Sequence, residues 1–266
     1  MPDPTAPLVA TASVLTMLDP FCGPAGFLNL LPEASLMSCG DTGWGDEIAT
    51  GFWVTIGLAL ATLPIGLFLG FFIALAKLSS SSPMRHAANI YTTIFRGLPE
   101  LLTIFMIYFG LQIGLRELLV NMGYEGAIEI NAFVAGMIAL ALVFSAYASE
   151  VLTSAFQAIP AGQYEGGMAL GLRKRTVMRL VILPQLVRIA LPGLGNLWMN
   201  LLKDTALISV IGLSDILRQT GVAARITKQP FLFFGFACLL FLALAIASSF
   251  VISWLERRSK RSETAR

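Results

Sequence analysis

Two isolated acids carry most of the chemical information in this chain. Glu150 lies in a stretch, 132–159, with no other charge, and an ionisable group in such surroundings is costly enough to be kept for a protein interior or a polar pathway. At helical spacing Tyr147, Glu150 and Ser154 share a face, with Ser145 and Ser149 nearby. A carboxylate among hydroxyls suits the attraction of a passing ammonium or guanidinium. It equally suits a buried ion pair with Arg96 or Lys203, and the residues leave both readings open. Glu165 is the lone acid of "QYEGGMALGLRKRTVMRLVILPQ" (163–185), where glycines and cations interrupt two apolar stretches. Tyr164, Met168 and Leu172 recur there at helical spacing, so a brief helix over residues 163–170 would present an apolar edge to a partner protein.

Other chemistry is missing from the pattern. The sequence contains no phosphate-cradling G-x-x-x-x-G-K-[ST], no metal-binding cluster and no nucleophile–base set, so no ATPase site, metal or cofactor is expected. His86, the single histidine, stands beside Arg85 in what reads as a basic loop, and is expected to be an ordinary surface residue. Glu100 reads as structural: Pro99 bends or begins its segment, and four-residue spacing from Arg96 allows a local ion pair. Gly193 and Gly195, after Pro192, permit close helix approach at a subunit interface or pore.

The elements that position these residues follow from composition. With 56% hydrophobic and 13% charged residues, the chain is an all-α membrane protein, and a net charge of +2 gives no reason to expect nucleic acid. A helix needs about 20 mainly apolar residues to cross a hydrocarbon core. Five stretches qualify: 51–76, 97–115, 132–159, 189–214 and 229–255. Lys203-Asp204 breaks the fourth, which places its membrane segment near 186–206 with Lys203 snorkelling or facing a polar interior. "LISVIGLSDIL" then forms a short helix or re-entrant turn on the far side.

Orientation follows from the cations, which are retained in the cytoplasm. Lys77, Arg85 and Arg96, then Arg173, Lys174, Arg175, Arg179 and Arg188, then Arg257, Arg258, Lys260, Arg261 and Arg266 fall on one face. Only Arg116, Arg218, Arg225 and Lys228 fall on the other. The expected topology has the N-terminus outside, a transmembrane core over 51–256, a cytoplasmic loop at 160–184 and a basic tail at 257–266. Residues 1–50 carry acids and prolines but no cation. They lack the positive region of a signal peptide, and their prolines oppose a sixth span, so an external or interface-lying extension is expected, with Met17 an alternative start. Cys22 and Cys39 would either pair in that oxidising compartment or remain small apolar thiols, and Cys238 serves packing.

Glu165-Gly166-Gly167, three residues, Gly171, nine residues, then Val181-Ile182-Leu183-Pro184 resembles the EAA loop of ABC-transporter importer permeases. Both alanines of that motif are glycine here and its isoleucine is Val181. Each such glycine costs a helix interior about 1 kcal/mol, so the coupling helix should lean on its partner for order. "YTTIFRGLPELLTIFMIYFGLQIGL" (91–115), "FSAYASEVLTSAFQAIPAGQYEGG" (144–167) and "LVRIALPGLGNLWMNLLKDTALISVIGL" (186–213) resemble permeases of the polar amino acid class, the histidine/lysine/arginine and opine uptake type. The resemblance covers about 51–258.

It implies a type I importer fold, a second permease subunit, two cytoplasmic ATPase subunits, an external solute-binding protein and an amino acid substrate. It also gives Glu165, with Tyr164, Met168 and Gly171, a role in ATPase coupling. For Glu165 that role is a charge-assisted contact to the ATPase or to the loop's own first turn. Arg173, Lys174 and Arg175 offer a contact for an acidic patch on the ATPase, but positive-inside retention already explains them. An ion-gradient-driven secondary transporter is the alternative, although such proteins are built from repeated halves and nothing in them requires the EAA spacing.

Overall fold

The computed structural model describes residues 21–22, 26, 28, 36–40, 43–123 and 130–264, with side chains as far as Ser259. The regular elements among them are helical: α1 (Gly45–Lys77), α2 (Ser82–Gly97), α3 (Glu100–Asn121), α4 (Ala132–Ala158), α5 (Ala161–Ala169), α6 (Lys174–Val177), a π-helical segment (Met178–Ile182), α7 (Leu183–Asp204), a 3-10 segment (Thr205–Ile211), α8 (Ile216–Thr227) and α9 (Pro230–Thr264). Five stretches are long and apolar enough to cross a membrane: Gly45–Lys77, Glu100–Asn121, Ala132–Ala158, Lys174–Ile211 and Pro230–Ser259. They coincide with the five expected spans. The fourth extends beyond 186–206 because the π-helical and 3-10 segments continue it at both ends. "LISVIGLSDIL" divides between the 3-10 segment, a turn through Gly212 and the start of α8.

The contacts group the described residues into two compact units. The larger comprises Leu58–Ile211 with the chain from Phe241 onward. At its centre lies α4, the most enclosed of the five spans, whose buried positions are mostly alanine, glycine and serine. Small side chains let helices approach closely, and van der Waals contact replaces the hydrophobic drive that lipid cannot supply. On α1, Gly66 and Gly70 do the same from the other side. A Cβ at Gly66 would lie 2.6 Å from Phe144 Cδ1, and one at Gly70 would lie 2.9 Å from Ala148 Cβ. Gly193 would meet Val151 at 2.7 Å and Gly195 would meet Ile252 at 2.7 Å, so both serve packing within this chain.

Helix α2 occupies a region that the sequence presents as a basic loop. Tyr91 anchors it, its hydroxyl donating to the Leu142 carbonyl at 3.1 Å and pairing with Ser145 Oγ at 2.8 Å. His86 is exposed on it.

The smaller unit joins the described residues up to Gly57 to Gly212–Leu240. Cys22 and Cys39 form a disulfide, and closing a loop of this length removes about 3 kcal/mol of unfolded-chain entropy. The Phe21 ring meets Phe52 edge-on at 4.8 Å. Most of 1–50, and with it the expected external or interface-lying extension, lies outside the described residues. Gly51 lets α1 pass the start of α8, since a Cβ there would lie 2.7 Å from the Asp215 carbonyl. Asp215 caps α8 by accepting from the Arg218 amide at 2.9 Å, while its Oδ2 is buried without a hydrogen bond.

Burial raises the Asp215 pKa to about 6, against the lowering effect of the Arg218 amide. The raised value means that folding favours the neutral acid: its stabilisation is complete below the unfolded pKa of about 4 and is lost as pH rises through about 6. We expect Asp215→Asn, which keeps an N-cap acceptor, to remove this dependence. The thermal midpoint of the parent should fall relative to the variant between about pH 4 and pH 7, by on the order of 2 kcal/mol in stability. Parallel melting curves for the two proteins across that range would contradict it.

Candidate functional site

Two regions within the larger unit hold the chemically distinctive residues. The first is the turn between α4 and α7. Helix α4 ends at Ala158, and Pro160, which presets its own φ, caps the start of α5. At the far end the Gly171 amide donates to the Met168 carbonyl at 2.9 Å and the Leu172 amide to the Gly167 carbonyl at 3.2 Å. This pair of bonds is a Schellman stop, and it requires Gly171 in the left-handed region, at φ 75°. The chain then re-enters helix through α6. The Leu183 amide reaches back to the Met178 carbonyl, closing one π turn just before Pro184, which has no N–H to continue the ladder.

Tyr164 and Leu172 turn inward onto a core of Leu152, Phe156, Val177, Ile182 and Leu186, and burial pushes the Tyr164 phenol up. They form the footing of the turn. Its outward side carries Glu165, Met168 and Leu170, with Met168 45% and Leu170 82% exposed. The two glycines of the motif differ. A Cβ at Gly166 meets nothing within 4 Å, whereas one at Gly167 would lie 2.8 Å from Val177 Cγ2. Gly166→Ala should therefore steady α5 by about 0.5–1 kcal/mol, and Gly167→Ala should prise α5 from α6. Amide hydrogen exchange over 161–169 should slow in the first variant and quicken in the second; a shift in the same direction in both would refute the distinction.

The second region surrounds α4. One carboxylate oxygen of Glu150 takes two cations, Lys77 Nζ at 2.6 Å and Arg96 Nη1 at 2.6 Å. Lys77 therefore stands where Lys203 was an expected candidate, and Arg96 is confirmed as a partner. The Arg96 guanidinium also lies over the Tyr147 ring, 5.6 Å from its centroid. The expected Arg96–Glu100 pair does not form, because α2 ends at Gly97, Leu98 is extended and Pro99 caps a new helix, α3, so the two residues are not one helical turn apart.

Glu100 instead lines a cavity of about 310 Å³ with Tyr147, Asn200, Asp204 and apolar residues that include Ile104 and Leu140. The carboxyls of Glu100 and Asp204 lie against each other within hydrogen-bonding reach. Two acids sharing a site either hold a proton between them or pair with a cation; Lys203 lies near Asp204, and an ammonium or guanidinium entering the cavity would supply a second positive charge. Of Tyr147, Glu150 and Ser154, which the sequence grouped on one helix face, Tyr147 lines this cavity. Glu150 and Ser154 line a separate, more open groove with Val151, Ala155, Ile189 and Gly193. Sequence reasoning assigned Glu100 to structure and treated Asp204 as a break in a span. The signal was the one used for Glu150, an acid inside an apolar segment, and it applied equally to both.

A family model described as the binding-protein-dependent transport system inner membrane component matches residues 63–261. The chain belongs to this family. Among curated relatives, the nopaline transport system permease protein of Agrobacterium fabrum is 43% identical over 218 residues, 82% of this chain and 92% of that protein. The arginine ABC transporter permease protein of Escherichia coli strain K12 is 37% identical over 229 residues, 81% and 96% of the respective chains. A crystal structure of an amino acid ABC transporter with histidines superposes with a TM-score of 0.68 at 33% identity, covering 81% of this chain and 95% of that one. The permease is thus a multi-pass inner-membrane subunit of an ABC importer with the type I transmembrane fold. Permeases of this kind work with separate ATPase and solute-binding subunits, and the gradient-driven alternative has no support in these relationships.

Proposed function

We propose that the permease translocates a polar amino acid or amino acid derivative that bears a cation, of the basic amino acid or opine kind, through the cavity between α3, α4 and α7. The observation that carries this reading is the Glu100–Asp204 carboxyl pair facing that cavity. Asn200 and the Tyr147 hydroxyl add neutral hydrogen-bonding groups for the amino acid backbone of the substrate, and 310 Å³ lies within the range of small-molecule sites. The names of the nopaline and arginine permeases agree with it. Glu150 and Ser154 form the wall of the adjoining groove, linked to the cavity through Arg96 on the Tyr147 ring.

Motion reaches these helices through the turn 160–184. The exposed Glu165, Met168 and Leu170 seat on an ATPase subunit, Gly171 sets the angle at which the chain leaves α5, and Tyr164 and Leu172 pass the displacement to α4 and α7. The working assembly contains a second permease, identical or homologous, two ATPases and an external binding protein. The N-terminus lies outside and the C-terminus in the cytoplasm.

Reconstitution of the permease with its partner subunits in proteoliposomes tests this. Labelled arginine or an opine should enter only with ATP, and excess glutamate should not compete. Uptake driven by an ion gradient without ATP, or equal competition by glutamate, would overturn the reading. In the same vesicles Glu165→Ala should lower transport per ATP hydrolysed while leaving substrate affinity unchanged.

A further inference from the structure

Helix α9 is 35 residues long, about 52 Å at 1.5 Å per residue, whereas a hydrocarbon core is about 30 Å thick. Its C-terminal turns must therefore leave the apolar layer, and their faces differ sharply. Ile252 packs against Gly195 of α7. Glu256, four residues on, keeps to that same half-buried side. Opposite them Phe250, Val251, Trp254, Arg257 and Arg258 are exposed.

Along that outer face the chemistry changes in order from aliphatic and aromatic side chains to an indole and then to two guanidiniums, with Arg258 stacked over the Trp254 ring at 5.4 Å. The order follows that of a phospholipid from its acyl chain through the glycerol level to the phosphate, since indoles favour the interface and arginines chelate phosphate oxygens. Retention of cations on one side of the membrane explains that Arg257 and Arg258 occur here. It does not explain why the acid of this turn faces the bundle while both arginines and the tryptophan share the lipid side.

We infer that the outer face of α9 at Phe250, Trp254, Arg257 and Arg258 is a binding site for an anionic phospholipid headgroup. The acyl chain lies on Phe250 and Val251, and the phosphate sits between the two guanidiniums. The Arg258–Trp254 stack holds one of these guanidiniums ready and lowers the entropy lost on binding.

The test uses the full-length chain in vesicles of phosphatidylglycerol or phosphatidylcholine carrying brominated acyl chains, which quench nearby indoles. The Trp254 signal is the difference between the parent and Trp254→Phe. Quenching of that signal should need about five-fold less brominated phosphatidylglycerol than brominated phosphatidylcholine per arginine engaged, and the preference should weaken as salt is raised. An Arg257→Gln, Arg258→Gln double variant should lose the preference while keeping its thermal midpoint and the exchange protection of α4. Inorganic phosphate added to phosphatidylcholine vesicles should leave the signal unchanged. Equal quenching by the two lipids, or a preference that survives in the double variant, overturns the proposal. So does loss of quenching in both lipids once the partner subunits are bound, which would mean that protein covers this face.

Discussion

A Glu100→Gln, Asp204→Asn double variant is expected to raise KM for a guanidinium-bearing substrate by about thirty-fold or more, since each buried charge left without its partner costs about 2–5 kcal/mol. The two carboxyls meet at the cavity between α3, α4 and α7, so either single change leaves one acid to hold the cation and should give a smaller effect. The ATP hydrolysis rate without substrate should stay near that of the parent, because neither residue lies in the turn 160–184 to which we assign the coupling. A KM within two-fold of the parent would remove the acid pair from the substrate path.

The second large effect concerns stability. Glu150 Oε1 is the shared acceptor of Lys77 and Arg96, each at 2.6 Å, so Glu150→Gln leaves two neighbouring cations facing each other. Arg96→Gln leaves the Lys77–Glu150 pair intact. Loss of a hydrogen bond to a charged group, with its partner left partly buried, costs about 1–3 kcal/mol. Glu150 and Arg96 keep some contact with solvent, which tempers the figure. The thermal midpoint of Glu150→Gln should drop by about 5 °C, that of Arg96→Gln by about half as much, and the two changes combined should be less than additive. Substrate KM should move little in either variant, because the ion cluster touches the cavity only through the Tyr147 ring. A Glu150→Gln midpoint equal to that of the parent would refute the shared-acceptor argument.

How much of this could be read in the sequence depended on the range of the interactions. The spans were legible because crossing a membrane demands a run of apolar residues, and such runs are local. The turn was legible because Pro160, Gly171 and Pro184 each impose a backbone requirement on their own neighbourhood. Helix α2 was missed for a related reason: with Arg85, His86 and Arg96 along it, its residues read as a retained basic loop, and only its contact with Ser145 and Leu142, far away in the chain, reveals it. The acid pair failed in the same way. Glu100 had a cation four residues before it and Asp204 one directly before it, so each seemed locally answered, and no periodicity brings residues 100 and 204 together. Their meeting depends on how α3 and α7 both lie on α4.

The covalent clasp between Cys22 and Cys39 has a practical consequence for anyone making the protein. Thiols cross-link only where an oxidant is at hand, so maturation of this segment depends on an oxidising surrounding rather than on anything that moves solute. A cell-free synthesis kept under strong reductant would yield chains whose five membrane helices can form but whose first segment stays unfastened. The quality of a preparation should therefore be judged by counting free sulfhydryls before any transport is measured.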